Sequence, residues 1–290
     1  MTYHSNSDRK QKTESLSKEL QAAVLHLRQT KDCREFLRLM ASLPSYSFNN
    51  LLLIAYQKPS ATMVMGYRAW QKFGRHVKAG EHGIRIFAPM AGRKKTADKD
   101  KKDDEEEQAL SPEEKEEHYF HGFRVVSVFD VSQTEGKELP DLACSSAGFK
   151  GDYPHFDATI EKIRSLNPET SVTFVERETD ANGWFSPHEN SISVCSDMSQ
   201  TETIRTLIHE EAHSRLHCYG GDEEEAGTDV KECEAEGVSY VVCQMLGIDT
   251  TGYAVPYITA WMYQADDKEL QAAMRVIQKT AQDFAEKLQK

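Results

Sequence analysis

The sequence predicts an α+β protein in two domains. Three observations carry that expectation: helical apolar periodicity and short β-branched runs occur together in each half, the halves differ in charge, and a stretch rich in Gly, Ser and Pro separates them. The chain has 290 residues, enough for two ordinary cores, and a formal net charge of −12. That total hides an asymmetry: residues 1–97 sum to +11, residues 98–118 to −7 and residues 151–290 to −15. A basic half suits a polyanion and an acidic half does not. The boundary is expected near residue 145, giving domains 1–145 and 146–290.

In the first domain, Leu20, Val24 and Leu27 form one helical stripe and Phe36, Leu39, Met40 and Leu43 another, so residues 14–43 read as two helices or one bent helix. After Pro44, Asn49 and Asn50 read as a cap leading into the apolar run LLLIAYQ. ATMVM is a short strand, GYRAWQKFG a short amphipathic helix, and Gly80 and Gly83 mark a turn before a strand over 84–88. Residues 92–117 are almost entirely charged and read as a solvated, mobile insertion between two strands. The second of these strands is YFHGFRVVSVFDV. In the second domain a helix (DATIEKIRSL), two strands (SVTFVER and SISVC) and helices near 200–218, 229–247 and 267–288 follow. No apolar run approaches a membrane span, and Met1 is not followed by a leader-like segment. The six cysteines form no CxxC pair and read as reduced thiols, so the chain is expected in the cytoplasm.

His209-Glu210-Glu211-Ala212-His213 is an HExxH pattern. On a helix its two histidines share a face one turn apart and can bind one zinc ion, with Glu210 beside them as general base. Ser199 and Glu202 make a capping box, and Ile204, Leu207, Ile208, Ala212 and Leu216 an apolar face, so the helix is expected independently of the motif. A third ligand is sought in KECEAEGVSYVV. Glu234 is in phase with Val238, Val241 and Met245 and is preferred, with Glu236 as the alternative. His217 reads as an outer or surface histidine. Tyr253, Tyr257 and Trp261 are candidates to line the cleft or steady an oxyanion, or to be core. Three protein ligands with a fourth position for water point to metal-assisted hydrolysis. The acidic surroundings favour a peptide over a nucleic acid as its substrate.

In the first domain Tyr67, Arg68, Trp70, Lys72, Phe73, Arg75, His76, Lys78 and Arg85 interleave aromatic rings with cations, a composition that suits single-stranded DNA, although Trp70 and Phe73 at helical spacing also suit a core. YSFNNLLLIAYQKPSATMVMGYRAWQKFGRHVKAGEHGIRIFAP, followed by VVSVFDVSQTEGKELP, resembles the amino-terminal domain of ArdC-type antirestriction proteins. HEEAH with ECEAEGVSYVV and GYAVPYITAW resembles their zincin-like metallopeptidase domain, and the ECEAE helix resembles that of the ImmA/IrrE-type peptidases. The resemblance runs from about residue 15 to 288. It implies single-stranded DNA binding by the first domain, a zinc peptidase-like second domain, and an origin on a plasmid or conjugative element. The alternatives are a zinc-dependent regulatory peptidase that cleaves a repressor, and a DNA-binding protector whose zinc only holds the fold.

Overall fold

The computed structural model describes residues 6–27, 30–91, 120–139, 152–218 and 227–289. The expected boundary near 145 and the charged segment 92–117 lie outside them. Helices α1 (Asn6–Leu27) and α2 (Thr30–Ser42) bury the two stripes anticipated for them, and α3 (Phe48–Gln57) follows. Ser47 rather than Asn49 or Asn50 stands at the N-cap position of α3. Asn50 lies inside the helix, where its amide donates to the Phe87 carbonyl (2.8 Å) and accepts from the Phe87 N–H (2.9 Å), pinning α3 to a sheet.

That sheet is antiparallel, in the order β1 (Val64–Gly66), β4 (Phe120–Asp130), β3 (Ile84–Ala91). Val64 faces Asp130, and Ile84 faces Val128. The strands on either side of the charged segment therefore pair with each other. The short helix α4 (Tyr67–Lys72) leads into a two-stranded ribbon of β2 (Arg75–Val77) and β5 (Thr134–Gly136). Gly136 is required in this ribbon: at φ 129° its Cβ would lie 2.5 Å from the Gly74 carbonyl oxygen.

In the second half α5 (Phe156–Arg164) precedes a three-stranded sheet, β6 (Ser171–Val175), β8 (Ser191–Cys195) and β7 (Gly183–Ser186), with β8 central. β6 runs parallel to β8, and β7 antiparallel. Ile192 and Val194 of β8 are fully buried. Four helices follow: α6 (Gln200–Leu216), α7 (Thr228–Met245), α8 (Thr251–Gln264) and α9 (Asp267–Gln289). α8 was not anticipated, because Pro256 in its sequence discourages a helix interior.

The helix α7 is central, packed by α6, α8, α9 and by α2 from the first half. One apolar core accordingly extends from Ala23 to Leu288. On its surface Arg275 of α9 donates to Asn49 Oδ1 (2.8 Å) and lies over the Phe48 ring, while Gln278 donates to the Tyr46 carbonyl. Among the described residues, no helix is long and apolar enough to cross a membrane.

Candidate metal centre

Ser199 starts α6 as expected. Its hydroxyl accepts from the Glu202 N–H, and the Glu202 carboxylate accepts from the Ser199 N–H at 3.1 Å. With the start fixed, helical phase buries Ile204, Leu207, Ile208 and Ala212 and presents His209 and His213 to α7. Gly183 allows β7 to approach α6 closely. A Cβ there would meet Thr206 Cγ2 at 2.7 Å and Glu210 Cγ at 3.5 Å.

His209, His213 and Glu232 bring three ligand atoms together. The two Nε2 atoms are 3.1 Å apart, and Glu232 places Oε2 3.5 Å from His209 Nε2 and Oε1 3.5 Å from His213 Nε2. A tetrahedral ion with bonds of about 2.0–2.1 Å sets its ligands roughly 3.3 Å apart, so the two nitrogens and the carboxylate are spaced to hold one. Glu232 keeps 40% of its side chain exposed, so the cluster borders solvent. Glu236, one helical turn along, places Oε2 3.0 Å from His209 Nδ1, angled off a good hydrogen bond, and Oε1 3.4 Å from Arg205. Glu234 instead meets His217 Nε2 at 3.2 Å, and His217 Nδ1 lies 3.0 Å from His213 Nδ1.

The electrostatics follow from this packing. Burial by itself would lower the His209 pKa, but Glu232 and Glu236 beside it push it up to about 9. The two imidazoles in turn hold Glu232 well below the usual carboxylate range. Burial raises Glu210, which is 6% exposed, while His209 and His213 pull the other way. Its neighbour Glu211 points into the protein near Ser214 and is pushed up to about 8 by desolvation.

The residues expected to contact DNA divide by exposure. Tyr67 is 49% exposed, and Arg68 and Lys72 are exposed beside it on α4. Phe73, 52% exposed, continues that surface rather than packing in the core. Trp70 is fully buried, its indole N–H donating to the Phe129 carbonyl, and so packs in the core. Arg75 uses its guanidinium on Thr134 and the Lys137 carbonyl, closing the β2–β5 ribbon. Lys78 donates to the Ser132 carbonyl, and Arg85 pairs with Glu19. Trp261 is buried at 7% exposure, and the side chains of Tyr253 and Tyr257 lie outside the described residues.

A family model of the N-terminal domain of anti-restriction factor ArdC matches residues 6–129. Residues 6–129 form an ArdC-type N-terminal domain. Over 311 aligned residues the ArdC-type chain is 24% identical to the uncharacterized protein pXO2-81 of Bacillus anthracis, with 96% of this chain and 51% of that protein covered. It therefore spans about half the length of that curated relative. The metal-free crystal structure of the antirestriction ArdC protein from plasmid R388 has a TM-score of 0.50 at 17% identity, covering 84% of this chain and 85% of its own. The ArdC fold thus extends into both halves of this chain. The Mn(II)-bound structure of the same R388 protein has a TM-score of 0.47 at 17% identity, covering 87% and 97%.

Proposed function

We propose that this ArdC-type chain is an antirestriction factor that binds single-stranded DNA through its first half and carries a zinc-dependent, peptidase-like centre in its second. The observation that carries the catalytic part is the convergence of His209 Nε2, His213 Nε2 and the Glu232 carboxylate beside the buried Glu210. Two imidazoles and one carboxylate bordering solvent suit zinc in a hydrolytic role. When bound, zinc supplies charge that acidifies water and steadies a developing oxyanion. Glu210 takes the proton, and the burial that raises its affinity for protons suits it to pass that proton on to a leaving amine. β7 is the outer strand of its sheet and lies against Thr206 and Glu210, so an extended peptide added along β7 would run beside the centre.

For DNA, support comes from Tyr67, Arg68, Lys72 and Phe73, which together offer exposed rings and free-reaching cations on one short segment. Lys78 and Arg85 stay exposed and can exchange their present partners for phosphate. The test compares wild type with Glu210→Gln for metal content, oligonucleotide binding at two salt concentrations, and peptide hydrolysis. About one zinc per chain and salt-dependent preference for single strands are expected in both proteins, with hydrolysis confined to the wild type. Absence of metal overturns the catalytic half of the reading, and equal affinity for duplex or an unrelated polyanion overturns the DNA half. Hydrolysis by neither protein, with metal present, leaves zinc as a structural ion.

A further inference from the structure

We infer that His217 and Glu234 are positioning residues of the metal centre, acting on the metal through His213. The inference rests on the reading of His209, His213 and Glu232 as the ligand set, and extends it. Both ligand imidazoles turn Nε2 toward the cluster and leave Nδ1 for an outer partner. His209 Nδ1 faces Glu236, itself steadied by Arg205. His213 Nδ1 faces another imidazole, that of His217, and the carboxylate comes one step further out, from Glu234.

The proton positions in this chain are determined by its first member. A metal on His213 Nε2 leaves the ring proton on Nδ1, which donates across 3.0 Å to His217 Nδ1. His217 Nδ1 is then bare, so neutral His217 carries its proton on Nε2 and donates it across 3.2 Å to Glu234 Oε2. A single tautomer satisfies all three residues. It orients the His213 ring and carries the influence of the Glu234 charge toward the ligand nitrogen, the service that a carboxylate usually gives a metal-bound histidine directly. Burial supports the same assignment: the side chains of His217 and Glu234 are 5% and 7% exposed, and a carboxylate so enclosed needs a partner, which His217 supplies.

The test measures zinc affinity by competition with a chromophoric chelator, and the visible spectrum of the cobalt(II)-substituted protein. The proteins are wild type, His217→Ala, His217→Gln, Glu234→Gln and Glu232→Gln, each with its metal-free melting curve. His217→Ala is expected to bind zinc about 10–100-fold more weakly and to shift the cobalt bands. Glu234→Gln should move both in the same direction by less. His217→Gln, whose amide can accept from His213 and donate to Glu234, should recover most of the affinity even if the alanine variant melts early. Zinc affinity within about twofold of wild type in both His217→Ala and Glu234→Gln, with binding lost in Glu232→Gln, overturns the inference and leaves the ligand set standing. Loss of binding in Glu234→Gln but not in Glu232→Gln overturns it by making Glu234 a ligand. A wild type that takes up no zinc removes the underlying reading itself.

Discussion

Asp130 is 1% exposed, and its carboxylate ties its own turn to the segment before β1 by accepting from the N–H groups of Thr62 (2.8 Å), Met63 (3.2 Å) and Ser132 (2.9 Å). Burial alone would raise its pKa, but these donations to the charged form outweigh it and hold the group below the ordinary carboxylate range. Because the folded value is the lower one, the stabilisation is present above the unfolded value of 3.8 and is lost as pH falls through the folded value. Asp130→Ala should therefore cost about 2–4 kcal/mol at neutral pH, and the gap from wild type should narrow in acid. Urea unfolding at pH 7 and pH 3 measures both effects. The same junction explains Trp70, whose N–H finds its acceptor one residue from Asp130, at the Phe129 carbonyl. Its sequence context, among arginines and lysines, did not reveal that acceptor, which arrives from a strand about 60 positions later.

At the scale of elements, α7 sets the geometry of the metal centre. A helix with one apolar stripe reveals its inward face through periodicity, but α7 is buried from Cys233 to Cys243 and has partners on every side. Helical phase therefore could not choose among Glu232, Glu234 and Glu236, and the crossing of α6 over α7 decides which carboxylate faces the imidazoles. Gly237 keeps α9 close on the opposite flank: a Cβ there would lie 2.4 Å from Ile277 Cδ1 and 2.8 Å from Cγ1. Gly237→Ala should destabilise by about 1–3 kcal/mol despite its better helix propensity, and Ile277→Val in the same chain should recover part of the loss. A double-mutant cycle read by thermal melting checks this. Gly183→Ala should force β7 away from α6. It is expected to lower peptide hydrolysis more than zinc affinity, a split that steady-state kinetics and chelator competition resolve.

For the whole molecule, the shared core would couple metal binding at the candidate centre to global stability. Zinc bound only to the folded chain should raise the melting temperature, and removal by a chelator should lower it, with a stabilisation of about 2.7 kcal/mol at a free concentration 100-fold above Kd. Glu232→Gln should abolish that response to metal, which differential scanning fluorimetry with and without chelator measures. On the first half, Arg68→Ala with Lys72→Ala should flatten the slope of log affinity against log salt for single strands by about 1.4, if both cations meet phosphate. The same pair should leave zinc affinity unchanged.

Features that rest on local rules are legible in the amino-acid order alone. The Ser199–Glu202 cap fixed the start of α6, the i, i+4 spacing put His209 and His213 on one face, and apolar periodicity placed α1, α2, α5, α7 and α9. Local rules failed where a partner distant in sequence supplies the decisive contact. Asn50 reads as a cap until Phe87 claims its amide, and β7 is too short to register as a strand until β8 pairs with it. Arg75 reads as free cationic charge until the chain near Thr134 and Lys137 folds back and uses it. Only the tertiary structure decided which glutamate faces the histidines, because that depends on where one buried helix crosses another, and no periodicity within either helix encodes the crossing.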